Sequence, residues 1–230
     1  STQGGAYLNI MNCTITQNIA SVVGGVYSES AGDYFMNTIL WGNTSTENSN
    51  HDIVSTGPNR YFVNNIMTEA HPGENNFDSD PQFANPDSND FSLSNYSPAI
   101  GSGVDSVEMP LTTGNAWYYA PNTDLLGNSR PNPTSSNPDI GAYENTLGSR
   151  LTITRYVSTN GSNSNDGSAN SPLASIQSAI NKSAFGDTIF VNPGTYYENL
   201  TLGYSNFVLM SLEGRDSTII DGINNGTIFS

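Results

Sequence analysis

A loose internal repeat constrains this chain more than any other feature. Gly4-Gly5-Ala6-Tyr7 returns as Gly24-Gly25-Val26-Tyr27, and Asn12-Cys13-Thr14-Ile15 returns as Asn37-Thr38-Ile39-Leu40. A third, poorer copy is Asn65-Ile66-Met67 after Tyr61-Phe62-Val63. Spacings of about 20 and 25 residues are those of a solenoid coil, and short β-branched and aromatic runs punctuated by Gly and Asn exclude helical repeats. Each copy is expected to supply one β-solenoid coil, with alternating residues such as Tyr7, Ile10, Cys13 and Ile15 turned to a narrow core. Asn at equivalent turns can stack, because it tolerates left-handed backbone and its side chain reaches the neighbouring turn.

The rest of the chain divides by composition. Residues 1–70 read as solenoid rungs, and residues 71–150 carry nine of the twelve prolines together with acidic turns. That stretch is expected to be an irregular cap with a few short strands, including Asp90–Leu93 and Asp139–Tyr143, and without long regular ones. Residues 151–186 predict a strand over Ile153–Val157, a turn-rich loop and a capping helix over Leu173–Ala184, with Ile176, Ala179, Ile180 and Ala184 on one apolar face. Residues 187–230 predict further rungs: strands at Thr188–Val191, Thr195–Leu202, Phe207–Ser211, Thr218–Ile220 and Thr227–Phe229. The expected fold is therefore all-β, a parallel solenoid with one short capping α-helix and a Pro-rich irregular cap.

Hydrophobic residues make up 35% and aromatics 10%, enough to fill a core, while only 12% are charged. The net charge of −15, from 21 acids against 6 bases, sets the chain against nucleic acid and anionic lipid, which share its sign. No apolar run reaches a membrane span, so no membrane insertion is expected. With one cysteine, Cys13, no internal disulfide forms. The start, Ser1-Thr2-Gln3, has neither Met nor a signal pattern and reads as a processed chain or a window of a longer one.

Tyr156-Val157-Ser158, Asn165-Asp166-Gly167, Ile176-Gln177-Ser178-Ala179-Ile180, Gly186-Asp187-Thr188-Ile189 and Pro193-Gly194-Thr195-Tyr196 resemble the amino-terminal opening of secreted right-handed parallel β-helix proteins. A second series runs Ile39-Leu40-Trp41-Gly42-Asn43, Asp78-Ser79-Asp80-Pro81-Gln82-Phe83, Ser97-Pro98-Ala99-Ile100-Gly101, Asp124 to Pro131 and Asp139-Ile140-Gly141-Ala142-Tyr143-Glu144. It is similar to the carboxy-terminal region of the choice-of-anchor Q group of exported bacterial surface proteins. The resemblance implies a right-handed parallel β-helix and an extracellular or cell-surface location. It also implies a reversed order, with the closing segment ahead of the opening one. A circular permutation, a window of a tandem array and complementation between subunits are the open explanations.

No catalytic residue is assigned. Lyases of the β-helix type, as the resemblance implies, set a base beside an acidic calcium cluster, whereas Arg60, Arg130, Arg150, Arg155, Lys182 and Arg215 are scattered. Glycosidases need two carboxylates about 5–10 Å apart, which 21 acids supply too easily to be informative. A polysaccharide lyase or glycoside hydrolase and a non-catalytic carbohydrate-binding module are the alternatives to a structural role, and Trp41, Trp117, Tyr118 and Tyr119 are the aromatics that could stack on sugar rings. Asp78, Asp80, Asp87 and Asp90 offer oxygen ligands for Ca2+ at turn spacing, the one cofactor considered; the competing reading has them closing turns on their own amides. His51 and His71, 20 residues apart, lack zinc partners, and Cys13 reads as a buried small hydrophobe. Glycosylation sequons begin at Asn12, Asn43, Asn160, Asn181, Asn199 and Asn225.

Solenoid ends expose unpaired strand edges. The strand near Ala6, Tyr7, Leu8 and Ile10 and that of Thr227, Ile228 and Phe229 are the expected assembly interface, closing a permuted monomer or building a head-to-tail homopolymer by strand addition. The expected function is a structural or adhesive protein that self-associates; the other partner considered is a polysaccharide.

Overall fold

The computed structural model describes residues 7–47, 52–55, 59–68, 73–111, 114–202 and 207–222. The chain divides into two compact units, Ser1–Leu151 and Thr152–Ser230. Strands stacked in parallel build both, and the described residues contain one short α-helix.

In the first unit, one rung runs through β1 (Tyr7–Met11), β2 (Thr14–Thr16), β3 (Ile19–Ala20) and β4 (Val26–Ser28). The next repeats it as β5 (Gly32–Met36), β6 (Ile39–Trp41), β7 (Thr44–Ser45) and β8 (Ile53–Ser55), and a third begins with β9 (Asn59–Val63) and β10 (Ile66–Met67). Every pairing between successive rungs is parallel, with Tyr7 opposite Gly32 and Gly32 opposite Asn59. The stack closes with a short coil, whose Glu74 and Phe77 bridge Val63 and Ile66.

Because side chains alternate along a strand, β1, β5 and β9 have two faces, and both are covered. Leu8, Ile10, Phe35 and Phe62 join Ile15, Leu40, Met67, Val26 and Ile53 in the inner core. Tyr7, Met11, Tyr34, Met36, Tyr61 and Val63 face the other way. Tyr7 therefore does not share the inner core with Ile10, contrary to the expected alternation, and Cys13 lies between strands rather than in one. Tyr34 stacks on Tyr61 with centroids 5.1 Å apart, and Phe35 on Phe62 at the same spacing. Inside the turns, the buried carboxylate of Asp33 accepts the hydroxyls of Ser28, Ser30 and Ser55.

The Pro-rich stretch flanks this stack. It holds β11 (Phe83–Asn85), a 3₁₀ turn at Pro86–Ser88, β12 (Asp90–Leu93) and an antiparallel hairpin of β13 (Ser106–Leu111) and β14 (Gly114–Tyr119). At six residues each, the hairpin strands are the longest described, where only short ones were expected. Val107, Met109, Leu111 and Tyr118 of the hairpin pack on the outward tyrosines and methionines. Leu93, Ala99, Ile100 and Ile140 cover Ile39 and Ile66 in the same manner. Asp139–Tyr143, expected as a strand, is irregular backbone, because its amides serve individual turns: Ile140 N–H donates to Ala99 O at 3.0 Å and Gly141 N–H to Asn37 O at 2.8 Å.

Asn12, Asn37 and Asn64 occupy equivalent turns with φ of 48°, 49° and 53°, the left-handed geometry read from the sequence. Their amides also fasten the outer layer. Asn12 Nδ2 donates to Asp139 O at 3.2 Å and Asn64 Nδ2 to Ser102 O at 2.7 Å. Asn18 with Asn43, and Asn65 with Asn76, form side-chain ladders between rungs at 3.0 Å each.

The second unit has β15 (Thr154–Val157), β16 (Thr188–Val191) and β18 (Val208–Ser211) in one parallel sheet, and β17 (Gly194–Tyr196) with β19 (Thr218–Ile220) in another. Helix α1 (Ile176–Asn181) buries Ile176, Ala179 and Ile180 against Val157, Ile189, Val191, Tyr196 and Leu200. It is shorter than the expected Leu173–Ala184. Leu173 is held in a bridge to Val157, and Ser175 is the N-cap, accepting from the Ser178 N–H. The strand expected over Thr195–Leu202 stops at Tyr196. Glu198 instead turns back, its carboxylate accepting the N–H groups of Ile176 and Gln177 at 2.8 Å each.

Candidate functional site

The first rung presents the most distinctive surface of the first unit. β1, β2, β3 and β4 each stand at the edge of their sheets among the described residues. Asn12 N–H donates to Met36 O, so period-two alternation turns the N–H of Ile10 toward β5 and those of Asn9 and Met11 to the edge. Ile10 and Ile15 belong to the inner core, yet both line a cavity of about 560 Å3 with Cys13, Pro121, Leu125 and Arg130. The inner core of this rung thus opens into a cleft. Burial pushes the Cys13 thiol pKa up, and its Sγ–H donates to Met11 O at 3.2 Å.

The polar wall of this cleft belongs to a clasp of three carboxylates around Arg130. Arg130 Nε meets Glu144 Oε2 at 2.8 Å with both side chains buried, and its Nη2 donates to Gly141 O at 3.0 Å. Asp139 accepts the N–H groups of Gly101 and Asn145 at 2.7 Å, yet burial outweighs these bonds and pushes its pKa up to about 7. Burial likewise raises Glu144. Burial also acts on Asp124, but the bonds it accepts from Asn128, Glu144 and Leu126 prevail and hold its pKa below the usual carboxylate value. Each of these three carboxylates closes a loop on backbone amides.

In the second unit the corresponding edge is covered. Tyr156 N–H donates to Gly167 O at 2.7 Å, Leu173 N–H to Tyr156 O at 2.9 Å and Ser158 N–H to Leu173 O at 2.8 Å, so the loop ahead of α1 lies along β15. β18 and β19 are the opposite edge strands among the described residues.

The residues singled out in the sequence are scattered over this framework. Tyr7, Leu8 and Ile10 lie in β1, whereas Ala6, Thr227, Ile228 and Phe229 lie outside the described residues. Asp80 Oδ1 accepts Gln82 N–H at 2.8 Å, and Asp90 Oδ1 accepts the N–H and hydroxyl of Ser92 at 3.1 and 2.6 Å, so both close turns. Asp87 is the middle residue of the 3₁₀ turn Pro86–Ser88, and Asp78 is half-buried. Among the described residues no group of three or more His, Cys, Asp and Glu side chains is arranged to hold a metal. His51 and His71 lie outside the described residues, as does Asn225. Asn160, Asn181 and Asn199 are exposed; Asn12 and Asn43 are buried and hydrogen-bonded. The Arg130 clasp escaped the sequence reading, although Arg130 and Glu144 fall within the series similar to the closing region.

Residues 159–205, about a fifth of the chain, match the model of a family described as a protein of unknown function (DUF1565), which is associated with β-helices. No curated protein and no solved structure matches the chain. The family match and the stacked parallel strands agree. This is a parallel β-helix protein.

Proposed function

We propose that the chain is a structural protein of the cell exterior that associates head to tail, β-helix rungs of one copy adding to rungs of another. One observation carries this reading: among the described residues, the edge strands of both units carry none of the charges or prolines that commonly block strand addition. β1 (YLNIM), β2 (TIT), β18 (VLMS) and β19 (TII) contain no charged residue and no proline, in a chain of net charge −15. Exposed apolar side chains gather at the same places. Ile19, Val22 and Tyr27 belong to the first rung, and Val208, Met210 and Ile219 to the last described strands of the second unit, with Leu212 directly after β18.

The reversed order fits the same reading. A covered β15 edge suits an opening segment, and the coil through Glu74 and Phe77 suits a closing one, as in the choice-of-anchor Q group. Extracellular location rests on that similarity. A lyase or hydrolase is less well supported, because the buried carboxylates are spent on backbone amides.

Sedimentation velocity over a concentration series, with electron microscopy, tests the proposal. Growing head-to-tail assemblies are expected. Asn9→Pro removes an edge-facing N–H without touching the β1–β5 bonds, and should leave a monomer with unchanged circular dichroism. Wild-type protein that stays monomeric at high concentration overturns the reading.

A further inference from the structure

A second concavity of the first unit, independent of the strand edges, has a different chemistry. It measures about 350 Å3, at the small end of the roughly 300–1,000 Å3 typical of ligand sites, and is lined by Thr16, Gln17, Trp41, Gly42, Asp80, Gln82, Phe83 and Pro86. Two turns of successive rungs and the loop entering β11 form it. Gln17 and Gly42 are equivalent turn residues, one repeat apart, with φ of 56° and 65°. A Cβ at Gly42 would meet nothing within 4 Å, so the glycine leaves the space beside Trp41 open. Gln82, across the groove, also holds a left-handed φ of 50°. Positive φ at two glutamines is uncommon and aims both amides from tight turns.

We infer that this groove is a binding site for a neutral hexopyranose unit of a polysaccharide, stacked on Trp41 and held through its hydroxyls by Gln17, Gln82 and Asp80. The half-buried Trp41 packs on the core from one side and lines the groove, which fixes its ring without consuming it. An indole face offers broad apolar contact to the C–H face of a sugar ring. Among the described residues, neither glutamine amide nor the indole N–H has a protein hydrogen-bond partner, so donors and acceptors ring an apolar platform. Asp80 spends one oxygen on Gln82 N–H. Hydroxyls suit this mixture of amide and carboxylate groups, whereas a uronate does not: the lining contains no Lys or Arg, and Asp80 repels a second carboxylate.

Intrinsic fluorescence of the full chain reads the site directly. The sequence has two tryptophans, and Trp117 is 56% exposed on the outer face of the hairpin, so Trp117→Phe leaves Trp41 as the reporter. Titration with cellohexaose, mannohexaose and xylohexaose, the last a pentose control, and with oligogalacturonate should give a saturable shift of Trp41 emission for a neutral hexose oligomer. Gln17→Gly and Gln82→Gly delete the amides while suiting the left-handed backbone, and each should weaken binding about tenfold with an unchanged unfolding midpoint. Gly42→Asn keeps the turn, fills the open space and should abolish binding. The inference is overturned by the absence of a saturable shift with both hexose oligomers, by affinity unchanged in the doubly substituted Gln17→Gly/Gln82→Gly chain, or by tighter binding of oligogalacturonate or xylohexaose.

Discussion

Asn37 and Val104 pair as two strand residues would: Asn37 Nδ2 donates to Val104 O at 2.7 Å, and Val104 N–H donates to Asn37 Oδ1 at 2.9 Å. A side-chain amide at a rung turn thereby extends hydrogen bonding sideways into the layer that covers the outward face. Asn37 is fully buried, so its loss leaves two backbone groups of that layer without partners. Asn37→Gly keeps the left-handed turn and deletes only the amide, and should cost about 2–4 kcal/mol in urea unfolding. Asn37→Ala should cost more, since it adds the strain of a positive φ.

The clasp predicts a pH dependence of definite sign. Asp139 is raised to about 7 from 3.8, and Glu144 is raised as well, both by burial. A raised carboxyl binds its proton more tightly in the folded state, so its stabilisation is complete below the unfolded value and is lost as pH rises through the folded one. The urea midpoint should therefore fall between about pH 4 and pH 7, and Asp139→Asn should flatten the decline. Asp124, held low, acts in the opposite sense only at more acid pH.

Removing Arg130 should be among the costliest single changes. It leaves the buried Glu144 carboxylate without its cation, an effect of about 3–5 kcal/mol. Arg130→Met combined with Glu144→Leu should recover only part of the loss, because it removes the unpaired charge but leaves Asn132 N–H, Asp139 N–H and Gly141 O without their partners. Thermal unfolding of the single and double variants measures both.

The paired glycines of the repeat make a steric prediction. A Cβ on Gly24 would lie 2.6 Å from Asn18 O and Thr44 N, and one on Gly25 would collide with Asp52 O, the acceptor of Val26 N–H. Gly25→Ala should thus destabilise the chain by about 3 kcal/mol or more. Gly127→Ala, at φ 84° with nothing within 4 Å, should cost only the backbone strain of about 1 kcal/mol. Denaturant titration of the two variants separates them.

The sequence by itself determined the coil and its chemistry. The recurrence of Asn12 at Asn37 foretold left-handed turns that stack, and the run from Tyr156 to Tyr196 foretold short strands around a short helix. These features are local or periodic: a left-handed φ, a period-two strand and an N-cap depend on neighbours within one rung. Only the tertiary structure decided what covers the outside of the rungs. Alternation announces two faces but not which partner each meets, so Tyr7 was read into the core that Ile10 fills, and the hairpin that covers Tyr34 was read as irregular cap. The same limit hid Arg130 and Glu144, 14 residues apart, whose pairing depends on loops folding together. It also hid the groove that sets Trp41 beside Gln17 and Gln82, because contacts between a rung and a distant loop follow packing, and packing leaves no period in the chain.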